Sequence, residues 1–277
     1  MTKSLRTIAH SLFQPSREIP NVTVTGVKLN SSQVEDGDLF IAIPGTKVDG
    51  HDFIGDAIDS GAIAIISNGR DVGELSVPQI KVANPRRAAS IVAAEYYGHP
   101  TKGLIVLGIT GTNGKTTTAS LLYSILNNAG HKTAQLGTLG TIADGFNQEA
   151  TLTTPDSISL QKIFSELRDA DFSHIVMEVS SHALDQYRVA DIEFDVALFT
   201  NLTPEHLDYH ASIEAYYQAK ARLFRMLPLE STAIVNESDP NGLRMAKETN
   251  APTLTFSRSN ENSIHFSDLN ISMPLAK

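Results

Sequence analysis

Cysteine is absent from this chain of 277 residues. That excludes disulfides, thiolate metal sites and cysteine nucleophiles, and it weakly favours a reducing compartment. No cluster of lysines and arginines stands out, and 22 basic against 31 acidic residues give a formal net charge of −9. This balance argues against nucleic acid as a partner, because a phosphate backbone demands a broad basic footprint, while a small anionic ligand stays allowed. The first residues, MTKSLRTIAHSLFQP, lack a continuous apolar core of the signal-peptide kind. Nowhere do about eighteen apolar residues run together, so no membrane partner is expected and the chain reads as cytoplasmic. Low-complexity tracts and short-period repeats are also missing. What remains is an ordinary globular composition at a length suited to about two domains.

The first hundred residues alternate short β patterns with helices. NVTVTGVKL, DLFIAIPG, AIAIIS and QIKVA read as strands, with HDFIGDAIDSGA and PRRAASIVAAEYYG as helices. Asn84 is placed to cap the second of these helices, Pro85 to start it and Gly98 to stop it. The boundary is expected at GHPTKG, residues 98–103, giving a small N-terminal α/β domain over 1–100 and a second domain over 101–277. In the second, LIVLGIT, HIVMEVS, DVALFTNL and STAIVN are near-continuous apolar strands between helical stretches. That rhythm predicts a doubly wound α/β domain on a parallel sheet covered on both faces.

After LIVLGIT comes GTNGKT and then the helical pattern TTTASLLYSILNNAG, with Leu121, Leu122, Ile125, Leu126 and Ala129 on one face. A turn of this kind aims backbone N–H groups at one point beside the positive end of a helix dipole, which suits a phosphate. Lys115 can reach outer phosphates and the Thr116 hydroxyl can ligate magnesium. The strict pattern G-x-x-x-x-G-K-[ST] is not met, since Ile109 holds its first glycine slot. A nucleoside triphosphate is the expected ligand; a plain Gly-rich turn with a solvated lysine is the alternative.

Glu178 interrupts an apolar strand near its carboxyl end, where open α/β sheets bind ligands, and there it needs a cation or a hydrogen-bond partner. Magnesium and a structural salt bridge both satisfy it. TPEHLDYH gathers Glu205, His206, Asp208 and His210 after the next strand, with Pro204 near the expected helix start. In SIEAYYQAKARLFRML the stripe Ile213, Tyr216, Leu223, Leu227 includes Lys220, which should point inward. Burial would lower its pKa and free the amine; snorkelling of the ammonium to water is the other outcome that spacing allows.

ITGTNGKTTT, LTTPDS, MEVSSHALDQYRV, FTNLTPEHLDYH, YYQAK and IVNESDP, in that order and spacing, resemble the Mur ligase family, ATP-dependent enzymes that extend the peptide of peptidoglycan precursors. VTGVKLNSSQVEDGDLFIAIPGTKVDGHDFI looks like the uridine-binding domain of the MurE branch, which adds the third residue. The resemblance implies that UDP-MurNAc-L-Ala-D-Glu is activated as an acyl phosphate and joined to an amino acid, lysine or meso-diaminopimelate. By the same resemblance Gly111, Thr112, Asn113, Gly114, Lys115, Thr116 and Thr117 would hold ATP, with Asn236 on the adenine side. Thr116, Glu178 and His206 would hold magnesium, and Lys220 would carry a CO₂-derived carbamate that supports it. Lys115, Glu178, His206 and Lys220 would thus be the catalytic set. Thr153, Thr154, Ser180, Gln186 and Arg188 match positions that grip the muramoyl-peptide, Arg188 being suited to a carboxylate or phosphate. Leu29, Ser31, Thr46, Lys47 and Val48 match uridine and diphosphate contacts.

Asn30-Ser31-Ser32 stands where the family usually has Asp-Ser-Arg, and Leu152 where Asn commonly precedes Thr-Thr-Pro. The family also carries a third, C-terminal Rossmann-like domain that binds the incoming amino acid. The resemblance finds no counterpart of it here, so the central domain is expected to be incomplete and to expose apolar surface, and the chain to represent a fragment, a truncated gene product or one half of a split enzyme whose C-terminal domain is supplied in trans. The alternatives are a binding module for UDP-sugar and ATP, and a folylpolyglutamate synthetase-like ligase, which shares the phosphate loop and the inward lysine.

Overall fold

A computed structural model describes residues 1–12, 19–45 and 48–257. The chain opens with β1 (Lys3–Ser4), α1 (Leu5–Ala9) and β2 (Thr23–Val24), and β1 pairs antiparallel with β2. Then follow β3 (Gly26–Lys28), β4 (Asp38–Ile41), α2 (Ile54–Asp59), β5 (Ala64–Ser67), β6 (Gln79–Lys81) and α3 (Pro85–Tyr97). Strands β3 to β6 form a parallel sheet in that spatial order. NVTVTGVKL is therefore two strands in two sheets, with the chain changing partners at Thr25. Asn84 caps α3 by accepting from the Arg87 N–H at 3.1 Å, and Gly98 ends it in the left-handed conformation (φ 74°), which a residue without Cβ adopts at no steric cost.

The remaining elements are β7 (Ile105–Thr110), α4 (Lys115–Asn128), β8 (Thr133–Gly137), β9 (Gly140–Ile142), α5 (Ser157–Asp169), β10 (His174–Glu178), α6 (Ser181–Asp185), β11 (Val196–Phe199), α7 (Leu207–His210), α8 (Ile213–Arg225), β12 (Thr232–Asn236), α9 (Gly242–Ala246) and β13 (Thr253–Phe256). They build a seven-stranded sheet in the order β13-β12-β11-β7-β10-β8-β9, parallel except for the edge strand β9. β7 lies between β10 and β11, so the strand order reverses around it and its carboxyl end opens into the crevice where such sheets take ligands.

One face of this sheet presents Val106, Ile175, Met177, Ala197, Phe199 and Val235 to a core shared with α5, α6 and α8. The other presents a row running Ile109, Leu198, Ile234, Leu254 across four strands. Over that face α4 supplies Ala119, Leu122 and Leu126. Leu254 is 49% exposed, and Leu121 and Ile125, expected on the packed stripe of α4, are 59% and 60% exposed. Among the described residues, this face of the sheet leaves Leu254 at its β13 edge partly open.

The two sheets meet through α3 and α5. Ile158 of α5 joins the N-terminal core, and Arg87 of α3 makes a bidentate pair with Asp191, one arm of which measures 3.0 Å. No helix among the described residues is long and apolar enough to cross a membrane.

Candidate functional site

The loop between β7 and α4 passes through Gly111 (φ 148°) and Gly114 (φ 85°). A Cβ on Gly111 would lie 1.9 Å from Thr200 Oγ1, so this position tolerates only glycine. The residues after β11 strap the loop in place. Thr112 N–H donates to Asn201 O and Asn113 N–H to Asn201 Oδ1, each at 2.9 Å, while the Thr200 hydroxyl donates to Asn113 O at 2.7 Å. Thr203 N–H donates to Thr112 Oγ1 at 3.0 Å. The Asn236 amide donates to Thr200 O at 2.7 Å, which puts it beside the same strap. Thr117 lies exposed in the first turn of α4.

Two lysines converge on one carbonyl. Lys115 Nζ donates to Gly111 O at 2.9 Å and Thr112 O at 2.8 Å, and Lys220 Nζ donates to Gly111 O at 2.8 Å. Lys220 is 1% exposed and its ammonium lies 4.4 Å above the Tyr216 ring. Its hydrogen-bond partner is a neutral carbonyl, so burial, and next the charge of Lys115, push its pKa well below the usual lysine value. Burial also lowers Lys115, against the opposing pull of Glu178 and Glu205. The inward direction read from the stripe on α8 is what the fold contains; snorkelling is excluded.

Glu178 closes β10 and is 1% exposed. Thr116 Oγ1 donates to its Oε2 at 2.9 Å, and Thr138 N–H donates to its Oε1 at 2.8 Å. A Cβ on Gly137 would come within 2.1 Å of Glu178 Oε1, so this glycine leaves the space that the carboxylate fills. A buried carboxylate held by two hydroxyls and an amide, with no salt bridge among the described residues, presents the hard oxygen donors that magnesium takes; the donor set of Thr116 and Glu178 fits that ion. Among the described residues no three histidine, aspartate or glutamate side chains gather into one metal-holding group.

His206 sits at the entry to α7 with φ 55°, and its Nε2 lies 3.7 Å from Glu205 Oε2. Pro204 stays in the preceding turn, and the expected helix shrinks to the single turn of α7 because the left-handed His206 separates them. The His206 ring meets the His182 ring edge-on at 4.9 Å and the Tyr216 ring at 6.1 Å, which connects it to the Lys220 platform. Burial lowers the pKa of His182, with the neighbouring His206 next.

A third group flanks the Glu178 strand end. Thr154 Oγ1 donates to Glu178 O at 2.9 Å and accepts from Ser180 N–H at 3.1 Å. Arg188 donates to Thr154 O at 2.8 Å and to Gln186 Oε1 at 2.7 Å. Thr153 accepts from Thr138 Oγ1 at 3.3 Å. Burial, above all, lowers the Arg188 pKa, so an incoming anion would meet a poorly solvated guanidinium.

On the N-terminal sheet Leu29 and Asn30 line a cavity of about 770 Å³ that reaches Asp156 and Ser159 of the second sheet's layer. Asn30 caps the short turn starting at Ser31, its Oδ1 accepting from Ser32 N–H at 3.1 Å and Ser32 Oγ at 3.0 Å. The departure from Asp-Ser-Arg is thus a self-contained cap. Val48 is exposed, and Thr46 and Lys47 lie outside the described residues. The fold brings Lys115, Thr116, Glu178, Lys220 and Asn236 around one loop and sets Thr153, Thr154, Ser180, Gln186 and Arg188 beside them; Leu29 and Ser31 belong to the other sheet. Sequence reasoning missed Gly137, Thr138 and Asn201, of which only Asn201 carried a signal, as the polar residue ending an apolar strand.

A glycine loop between a central parallel strand and a helix, with an inward lysine and a buried carboxylate at the same sheet edge, defines an α/β protein built to receive a phosphate. The family model for the Mur ligase middle domain matches residues 109–273, and a second, described as the Mur ligase family catalytic domain, matches residues 23–97. The chain belongs to the Mur ligase family. It is 43% identical over 233 residues to a UDP-N-acetylmuramoyl-L-alanyl-D-glutamate--2,6-diaminopimelate ligase of Gloeobacter violaceus, an alignment covering 83% of this chain and 47% of that protein. A ligase of the same name from Bacillus licheniformis is 39% identical over 267 residues, 94% of this chain and 54% of that one. A solved structure of a ligase of this name superposes with a TM-score of 0.80 at 28% identity, covering 95% of this chain and 54% of that one. The chain spans about half the length of the curated relatives it matches.

Proposed function

We propose that this chain supplies the ATP and UDP-sugar sites of a ligase that adds the third amino acid, lysine or meso-diaminopimelate, to UDP-MurNAc-L-Ala-D-Glu in the cytoplasm. The observation that carries the reading is the buried Lys220 amine of α8, whose hydrogen-bond partner among the described residues is the neutral Gly111 carbonyl, in the loop that leads into Lys115 and the Thr116–Glu178 pair. A structural lysine at this depth would be paired with a carboxylate. A free amine instead suits addition to CO₂, in which the nitrogen bonds to carbon and loses a proton to give a carbamate anion. Magnesium, held by Thr116 and Glu178 with His206 and the carbamate behind, would supply charge neutralisation at the phosphates.

The chain's own residues do the positioning. The loop from Gly111 to Thr117 wraps the phosphates, with the amides of Thr112 and Asn113 held by Asn201 rather than free for the ligand, and Lys115 leaves the two loop carbonyls for the outer phosphate. Thr153, Thr154, Ser180, Gln186 and Arg188 hold the muramoyl-peptide so that its D-glutamate carboxylate lies in line with the γ-phosphorus. That carboxylate oxygen bonds to phosphorus as ADP leaves. The amine of the incoming amino acid then attacks the acyl carbon, phosphate departs, and the nitrogen gives up a proton. Leu29, Ser31, Thr46, Lys47 and Val48 take the uridine diphosphate end, and Asn236 the adenine side.

The partly open Leu254 on the sheet face opposite the main core favours a second reading, in which the chain binds both nucleotides but ligates only with a C-terminal domain supplied in trans. ADP release measured with UDP-MurNAc-L-Ala-D-Glu, with and without amino acid, tests both. Amino-acid-dependent release supports the ligase; binding of both nucleotides without release supports the module, and binding of neither refutes both.

A further inference from the structure

We infer that Tyr209 is a positioning residue that sets Gln186 and Arg188 for the muramoyl-peptide, an inference that rests on the reading of those two side chains given above. The Tyr209 hydroxyl accepts from Gln186 Nε2 at 3.2 Å and donates to Asp185 Oδ2 at 3.0 Å. The other oxygen of Asp185 pairs with Arg222 at 3.1 Å, so the acceptor is itself fixed. Gln186 then has its oxygen turned to Arg188 and its nitrogen to Tyr209. An amide has two orientations related by a flip. Only the one observed satisfies both neighbours, because a flipped Gln186 would aim N–H at a guanidinium that can only donate. Arg188 and Tyr209 therefore fix the amide orientation together, since the Tyr209 hydroxyl, its proton given to Asp185, can only accept from Gln186, and the amide oxygen in turn holds one arm of the half-buried Arg188 guanidinium.

The backbone holds Tyr209 where this is possible. The turn that carries it is entered through His206 at φ 55° and left through Ala211 at φ 60°, two left-handed residues with side chains. Such conformations persist where the surroundings over-determine them. Part of that surrounding is the His182 ring, 4.2 Å from the Tyr209 ring and 4.9 Å from His206. The ring of Tyr209 thus contacts the histidine layer, while its hydroxyl contacts the substrate side. Removing the hydroxyl alone separates the two.

The test is calorimetric titration of UDP-MurNAc-L-Ala-D-Glu, and separately of magnesium ADP, into the 277-residue chain and its Tyr209→Phe, Gln186→Ala, Arg188→Ala and Tyr209→Phe/Gln186→Ala variants. Tyr209→Phe should weaken the UDP-sugar about three- to tenfold, the size of one net hydrogen bond, and leave the nucleotide unchanged. The double variant should bind no more weakly than Gln186→Ala, since Tyr209 acts through that side chain. Asp185→Ala, which keeps the Tyr209 ring, should reproduce the loss if Tyr209→Phe folds poorly. An unchanged Kd in Tyr209→Phe, an additive double variant, or equal weakening of both ligands overturns the inference. If Gln186→Ala and Arg188→Ala bind the UDP-sugar like the parent, the underlying reading of those residues fails, and this inference with it.

Discussion

Alanine at Gly137 should disable the Glu178 site from a position that is itself assigned no contact with nucleotide. The new Cβ would stand 2.1 Å from Glu178 Oε1, against an ordinary contact of 3.4 Å or more. The carboxylate must therefore retreat by about 1 Å, a shift that breaks hydrogen bonds held to narrow distances. At stake are the Thr138 N–H bond at 2.8 Å and the Thr116 hydroxyl bond at 2.9 Å. Each bond to a buried charged group is worth about 1.5–3 kcal/mol, and partial recovery by side-chain rotation leaves about 2–4 kcal/mol lost. At about 2–4 °C per kcal/mol for chains of this size, the melting temperature should fall by about 4–16 °C. Thermal unfolding by circular dichroism measures it, and calorimetry of ADP with and without magnesium reports the site. The expected variant is less stable and has lost most of the enhancement of ADP binding by magnesium. A Gly137→Ala protein that melts within about 1 °C of the parent and keeps its magnesium response would refute the assignment of Glu178.

Other outcomes follow from the same geometry. Lys220→Met should remove any stimulation by bicarbonate and bring pH dependence with a defined sign: the lowered folded pKa means that the unfolded parent binds more protons between that value and 10.5. The parent therefore gains stability as pH rises through this window, by at most about 1.4 kcal/mol per unit, and urea unfolding should show the stability advantage of Lys220→Met shrinking towards pH 10. Lys115→Met should weaken ADP about 10- to 100-fold, the loss of one charge-assisted contact, as read by fluorescence titration. Arg87→Ala, which breaks the bidentate pair joining α3 to Asp191, should cost about 1 kcal/mol in denaturant unfolding, since both partners are partly solvated. The double variant Leu121→Lys/Ile125→Lys should raise solubility and leave the melting temperature within about 2 °C, because neither side chain is packed.

Where local chemistry decides the structure, the sequence could be read directly. Asn84, Pro85 and Gly98 bracket α3 through capping alone, and the glycine loop announces itself locally as a Gly-rich turn between an apolar strand and a helix, although the strap from Thr200, Asn201 and Thr203 that holds it does not. Lys220 was legible as inward because its stripe on α8 holds Tyr216 and Leu223, both buried. The limits lay in contacts between distant segments. β8 reads TAQLG, and its Thr133 and Gln135 are buried polar residues, so no apolar run announced it. Glu178 finds its space and its amide donor at Gly137 and Thr138, about forty residues upstream, through sheet pairing that periodicity does not encode. The break at Thr25 depends on which strands claim its two sides. The exposure of Leu121 and Ile125 was hidden because amphipathic spacing states which residues share a face and says nothing about what lies opposite.

The most direct test is mass spectrometry of the UDP-sugar pool after this chain is incubated with ATP, magnesium, bicarbonate, UDP-MurNAc-L-Ala-D-Glu and a mixture of lysine and meso-diaminopimelate, with the C-terminal half of a relative added in a parallel reaction. A UDP-sugar heavier by one amino-acid residue, dependent on ATP and lost in Lys220→Met, is the predicted result. An unmodified pool in both reactions, from a chain shown to bind both nucleotides, would contradict the proposal that this chain provides the ligase's active site.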